Sequence, residues 1–188
     1  MIKSICSAMF LSFLLVSCSG DSSKDSARES LTASLNVEDL VEIQQAFIKC
    51  KESSTEPHSC KEFVAKSIAT YYGYEFMGAN ELPLPYDKLS EVVVASNAWK
   101  EIGDANEQST LTTAQQNANK GIPTLAVNAS NNTLAIVIKG ELTHSNSLGL
   151  DCPAVAVFRP KRFKKSFVGK GINYAWSDLS GVKLYTLK

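Results

Sequence analysis

Histidine is scarce in this sequence, whose 188 residues include only His58 and His144, far apart in the chain. The five cysteines show no paired spacing typical of zinc sites, and no glycine-rich loop follows a strand-like segment. The sequence therefore supports no metal site and no cofactor. An excess of charge of one sign is also lacking, since 19 basic residues balance 19 acidic ones. Nucleic-acid-binding domains are usually basic overall, so we expect no nucleic acid partner.

Long apolar runs are also rare, and the clearest one opens the chain. It follows Lys3, covers residues 9–16, and ends in Leu-Val-Ser-Cys at Cys18. This pattern is typical of bacterial lipoprotein precursors, which are cut before the cysteine and lipidated on it, and the run is too short to span a membrane. An ordinary secretory signal or a buried helix is the alternative. Because Ser19 follows the cysteine where aspartate commonly marks inner-membrane retention, we expect an outer-membrane lipoprotein that faces the periplasm.

Residues 1–17 are thus interpreted as a signal peptide and residues 18–33 as a lipidated cysteine with a flexible tether. Residues 19–30 hold five serines, five charged residues and one alanine, a composition that buries too little apolar surface to fold. Without the signal peptide the net charge is about −1, because Lys3 is removed. Residues 34–188 are long enough for one compact core, so we predict a single domain there.

Helices are predicted in the first half of this domain. Asn36 is a suitable N-cap for a helix that runs to about Lys51. Ser59 and Glu62 have the spacing of a capping box, which would put Cys60 at the first position of a second helix, and Gly73 would end that helix. A polar helix is predicted over residues 112–120.

Strands are predicted in the second half, where short apolar runs rich in β-branched residues alternate with turn-forming residues. A turn at residues 130–132 is predicted to join the first two of these strands in a hairpin. The predicted strands cover residues 122–129, 133–139, 153–159, 172–176 and 182–187. Helices followed by a small antiparallel sheet indicate an α+β fold.

The cysteines leave two interpretations open. At a helix start Cys60 would have its thiolate stabilised by the helix dipole, which makes it a candidate nucleophile. Alternatively Cys60 forms a disulfide with Cys50, which is easily closed in an oxidising compartment. Cys152 could compete for either partner. With Cys18 lipidated, three thiols remain, so at least one is unpaired or pairs between molecules.

Residues 158–170 contain six basic residues and no acidic ones, with phenylalanines interleaved. The near-neutral composition and the predicted compartment argue against nucleic acid as its ligand. We expect a solvated loop between strands. The alternative is a surface that attracts anionic lipid headgroups or an anionic cell-wall polymer.

The order of four segments resembles the papain-like superfamily of NlpC-type and CHAP-type cysteine amidases and peptidases of the bacterial cell wall. These segments are residues 60–64 (CKEFV), 114–121 (AQQNANKG), 133–137 (TLAIV) and 172–176 (INYAW). The resemblance implies a papain-like fold, with N-terminal helices packed on a small antiparallel sheet. It also implies that Cys60 attacks an amide of a peptidoglycan stem peptide and that a histidine opening the following strand acts as base.

The sequence departs from this pattern at the base, because Thr133 occupies the position where the histidine is expected. His144, about eleven residues later, is a weak alternative base. We favour a catalytically impaired domain that binds peptidoglycan peptides or an envelope protein partner. One alternative is an active cysteine amidase or endopeptidase with Cys60 as nucleophile, and a second is a structural lipoprotein stabilised by the Cys50–Cys60 disulfide.

Overall fold

The computed structural model describes residues 33–55 and 60–188. The predicted signal peptide, the lipid attachment at Cys18, nearly all of the tether, His58 and Ser59 lie outside the described residues. Within them, four α-helices and eight strands follow one another along the chain. The helices are α1 (Val37–Ser53), α2 (Phe63–Tyr72), α3 (Tyr86–Ala95) and α4 (Gln108–Asn119). The strands are β1 (Trp99–Asp104), β2 (Thr124–Asn128), β3 (Thr133–Val137), β4 (Thr143–Ser145), β5 (Leu150–Cys152), β6 (Ala154–Val157), β7 (Phe167–Gly171) and β8 (Val182–Leu187).

Six of the strands form one antiparallel sheet in the order β1-β8-β2-β3-β6-β7, and β4 pairs with β5 in a separate hairpin. The predicted α+β class is confirmed. Successive residues of a strand point to opposite faces of a sheet, and here both faces are covered. Leu134 and Ile136 of β3 pack in a core with α1, α2 and α3, whereas Ala135 and Val137 pack in a second core with α4. Burial on both faces explains why β2 and β3 read as continuous apolar runs.

The predicted start of the first helix, at Asn36, and the predicted end of the second helix, at Gly73, are both confirmed. The Asn36 side chain accepts a hydrogen bond from the Glu38 N–H at 3.2 Å, which satisfies an otherwise unpaired amide of α1. Gly73 follows α2 with φ 71°, and its N–H donates to the Ala69 carbonyl. Glycine adopts this left-handed conformation without a steric penalty, so the helix ends there.

The predicted start of the second helix is wrong. α2 begins at Phe63, and Cys60 lies in the preceding turn with φ 63°, in the left-handed region. Glu62 occupies the N-cap position without a capping hydrogen bond from its side chain. Cys60 is therefore not at the first helical position, and the helix dipole does not provide the predicted stabilisation of a thiolate there.

The strand predicted at residues 172–176 is also wrong, because Ile172–Tyr174 forms one turn of 3-10 helix after β7. Ile172 is fully buried in the α4 core and Tyr174 is exposed, and the Ala175 N–H donates to the Ile172 carbonyl at 2.9 Å. Most of the basic run, predicted as a loop, forms a 3-10 turn at Pro160–Lys165 followed by β7.

Phe47 connects α1 to the rest of the core, so we use it to test the packing. Its side chain is fully buried and its ring lies 5.8 Å from the Phe63 ring and 5.6 Å from the Phe158 ring. Phe47→Ala should lower the free energy of unfolding by about 3–5 kcal/mol, because it leaves a cavity between α1, α2 and the sheet. Urea unfolding of the full chain measures this loss. The control is Gln45→Ala on the exposed side of α1, which should change the stability by less than about 0.5 kcal/mol.

Candidate functional site

Cys50 and Cys60 are joined by a disulfide that links the last turns of α1 to the turn before α2. Cys60 is buried, with 5 % of its surface exposed. A sulfur bonded in a disulfide carries no thiolate, so Cys60 cannot attack an amide carbonyl in this state. Of the two interpretations that the sequence left open for Cys60, the structure contains the disulfide.

Cys152 is the free cysteine among the described residues, and it is fully buried beside α4. Burial raises the pKa of its thiol above the ordinary value, since a thiolate would lose its hydration there. The thiol is therefore protonated near neutral pH and unsuited to nucleophilic chemistry.

Thr133 is the first residue of β3, and its side chain is exposed at the end of the strand. Its hydroxyl donates to Asn131 Oδ1 at 2.5 Å and accepts from Trp176 Nε1 at 3.1 Å. A neutral hydroxyl group is too weak a base to accept a proton near neutral pH, because its protonated form is a strong acid. Thr133 instead connects the β2–β3 turn to the segment after the 3-10 turn at Ile172–Tyr174.

His144 lies in β4, away from Thr133 and Cys60. Its Nδ1 lies 2.8 Å from Asp151 Oδ1 across the β4–β5 hairpin, and both side chains are more than half exposed. The hairpin packs against α4, where Gln108 Nε2 donates to the Asp151 carbonyl at 3.0 Å. Since Cys60 packs in the core on the opposite face of the sheet, the structure does not bring His144 to Cys60.

A cleft of about 490 Å³ opens at the first residue of β3, and we call it the Thr133 cleft. Such a volume lies within the range of ordinary small-ligand pockets. Cys60 is not part of its wall, but Val64, one helical turn further along, is. The lining residues are Val64, Tyr86, Asp87, Asn131, Asn132, Thr133, Leu134, Val157, Phe158, Arg159, Pro160, Lys161, Arg162, Ala175 and Trp176.

Arg159 lies two residues after β6 and lines the same cleft as Thr133. The β3–β6 pairing ends with Ala135 opposite Val157, and its register, continued by two residues, would bring Arg159 across from Thr133. Arg159 Nη2 donates to the carbonyls of Tyr174 at 2.9 Å and Ala175 at 2.7 Å. These two bonds fix the guanidinium in the wall of the cleft.

The charges of the Thr133 cleft are unbalanced. Among the described lining residues Asp87 is the one acidic residue, and its carboxylate is paired with Lys61 Nζ at 2.9 Å. Arg159, Lys161 and Arg162 have no salt bridge within the part of the chain that the structure describes. The cleft is therefore positive, although the whole chain has no net charge.

Sequence reasoning found Thr133 but missed two of its neighbours as parts of a site. From the sequence alone Arg159 is one member of the basic run. Trp176 is expected in the core, with a place in the cleft as the alternative. Nothing local marks either residue, because the sheet register brings Arg159 to the cleft and the turn at Ile172–Tyr174 brings Trp176.

No protein-family model matches the chain, and no curated protein matches its sequence. Within residues 33–55 and 60–188, no helix combines the length and the apolar character needed to cross a membrane. In the same ranges, no group of three His, Cys, Asp or Glu side chains is arranged to hold a metal ion.

The disulfide makes a direct prediction about thiol reactivity. In the unreduced full chain iodoacetamide should label neither Cys50 nor Cys60, and mass spectrometry should recover the two in one linked peptide. Rapid labelling of Cys60 without reductant, with a thiol of lowered pKa, would contradict this arrangement.

The same disulfide should stabilise the fold, because it restricts the conformations available to the unfolded chain. Replacing both residues, Cys50→Ala with Cys60→Ala, should lower the free energy of unfolding by about 2–4 kcal/mol in urea. Reduction of the unmodified chain is the control and should give a loss of similar size. No loss in either experiment would show that the link contributes little to stability.

Proposed function

We propose that this protein is a lipid-anchored lipoprotein of the bacterial envelope whose papain-like, amidase-type domain binds peptidoglycan stem peptides without cleaving them. The observation that carries the proposal is the Thr133 cleft, which has the charge and the volume for a peptide ligand. Among the described residues that line it there is neither a free thiol nor a histidine. The choice of peptidoglycan depends on the sequence resemblance to cell-wall amidases and on the lipoprotein pattern at Cys18.

We expect no turnover because neither of the two groups that a cysteine amidase needs is in a usable form. The resemblance puts the nucleophile at position 60 and the base at position 133. Cys60 is bonded to Cys50, and Thr133 offers a hydroxyl that is already hydrogen-bonded to Asn131 and Trp176. Loss of general-base catalysis alone typically lowers a rate by 10²- to 10⁴-fold, and loss of the nucleophile removes the covalent route.

The lining of the cleft supports peptide binding. Leu134, Val157 and Phe158 provide apolar surface suited to small side chains. Trp176 is partly exposed there, and aromatic residues at the rim of a pocket provide contact area at low entropic cost. Backbone amides of a bound peptide would find polar partners in the Asn131 and Asn132 side chains.

The position of the cleft relative to the predicted anchor agrees with a cell-wall ligand. The described chain starts before α1, where the Ser34 and Leu35 N–H groups donate to the Thr70 and Tyr71 carbonyls. The other end of α1 lies near the basic turn, since Glu52 pairs with Lys164 at 3.3 Å. A helix of this length spans about 25 Å. Lys161 and Arg162 of the cleft therefore lie far from the side at which the tether joins. An outer-membrane lipoprotein with this arrangement would present the cleft to the periplasm.

Sedimentation with purified peptidoglycan tests the proposal. The full chain should co-sediment with peptidoglycan and release no soluble fragments, with or without reductant. Trp176→Ala should weaken the binding at least about tenfold, because it removes the largest aromatic contact of the cleft. The matched control is Tyr174→Ala, an exposed aromatic two residues away whose ring is outside the cleft, and it should bind like the unmodified chain.

Three results would contradict the proposal. Soluble fragments that disappear in Cys60→Ala would support the active amidase instead. If the chain neither releases fragments nor co-sediments, two candidates remain. These are a structural lipoprotein and a domain that recognises an envelope protein partner. Equal weakening by the two aromatic variants would locate the binding surface outside the Thr133 cleft.

A further inference from the structure

We infer that the Thr133 cleft binds its ligand through a free carboxylate group, and that Arg159 is the residue that receives it. The inference rests on the proposed function and narrows it. It specifies a peptide whose carboxylates are unmodified. The same peptide should bind more weakly when those groups are converted to amides.

The first argument is the state of the Arg159 guanidinium. Its Nη2 is occupied by the Tyr174 and Ala175 carbonyls, and its backbone N–H donates to Ser166 Oγ at 2.9 Å. Its Nε is buried and has no hydrogen-bond partner among the described residues. Because Nε has no exposed surface, a ligand in the cleft cannot reach it directly. The donor left for a ligand is Nη1, which makes no hydrogen bond to the described residues, and a charged donor without an acceptor is costly.

The second argument is the surplus of positive charge. Lys161 and Arg162 line the same cleft as Arg159, and Lys61 neutralises the single lining carboxylate, that of Asp87. Since arginine stays charged at all physiological pH values, a neutral ligand would leave this charge uncompensated in a partly desolvated site. A ligand with a carboxylate compensates it.

The third argument decides between a carboxylate and a larger anion. Arg159 is fixed between the Thr133 side of the cleft and the turn at Ile172–Tyr174, and the nearby lining at Val157, Phe158 and Pro160 is apolar. Arg162 also lines the cleft but is exposed, so Arg159 is the guanidinium that is held in place beside these apolar walls. That arrangement suits a carboxylate on a small peptide. The exposed lysines of the basic run, which would attract phosphate-rich surfaces, are mostly outside the cleft.

The test compares two synthetic stem-type peptides that end in D-Ala-D-Ala, one with free carboxylates and one with every carboxylate converted to an amide. Titration of the full chain, followed by calorimetry, should show that the amidated peptide binds about 10- to 100-fold more weakly. This range corresponds to the loss of hydrogen bonds to a charged group. The comparison uses the unmodified protein, so it does not depend on the folding of a variant.

Variants then locate the effect. Arg159→Gln should bind both peptides equally weakly, whereas Arg159→Lys should retain part of the preference because it keeps the charge without the planar donor set. Lys165→Gln is the matched control, since it makes the same change of charge on an exposed residue outside the cleft, and it should keep the full preference. Circular dichroism and urea unfolding establish that each variant is folded.

The outcomes separate the two proposals. If the unmodified chain binds both peptides with equal affinity, the carboxylate inference is wrong and the proposed function stands. If it binds neither peptide, both are wrong. A preference that is lost equally in Arg159→Gln and Lys165→Gln would overturn the role of Arg159. Binding to anionic phospholipid vesicles that depends on Arg159, with no peptide bound, would replace the peptide by a lipid surface.

Discussion

The antiparallel pairing of β3 with both β2 and β6 is the constraint on which the rest of the structure depends. It lets Leu134 and Ile136 pack against the first three helices while Ala135 and Val137 pack against α4. A slip of one residue would exchange these two sets between cores that differ in the sizes of their side chains, so the register is strongly specified. Continued past the Ala135–Val157 pair, the same register leads Thr133 and Arg159 to one cleft, which is how packing determines the site.

The parts of the fold that the sequence predicted correctly are those governed by neighbours in the chain. Asn36 and Gly73 act on amides and carbonyls within a few residues, and the β2–β3 hairpin is closed by its own turn. Of the four strands that the sequence did not predict, β4 and β5 form the separate hairpin, and β1 and β7 are the two edges of the sheet. An edge strand has one unpaired side and carries charged or small residues, which weakens the alternation that sequence analysis depends on. The prediction that Cys60 begins a helix is wrong, because the backbone of Cys60 has a left-handed conformation.

The residues of the candidate site also divide into those that the local sequence indicates and those that long-range contacts bring into place. The sequence places Thr133 in a site only through the family resemblance, and the apolar run that follows indicates only where its strand begins. Arg159 and Trp176 could not be placed there, since the first depends on pairing between strands about twenty residues apart, and the second on a turn that replaces the predicted strand at 172–176. That turn also frees the Tyr174 and Ala175 carbonyls to hold the guanidinium. Residues whose role comes from long-range contacts have no local pattern.

Threonine at position 133 and arginine at position 159 suit each other electrostatically. In a cysteine amidase the base must become positively charged when it accepts the proton of the thiol, and it must later return that proton to the leaving group. A histidine at position 133 would make this change beside a fixed guanidinium, which lowers the affinity of a neighbouring imidazole for a proton. A threonine stays neutral, so under the proposed function the positive charge of Arg159 would be available to stabilise a bound anion. Such stabilisation acts on the ground state of the ligand and increases affinity without increasing a rate, which is the property that a binding domain requires.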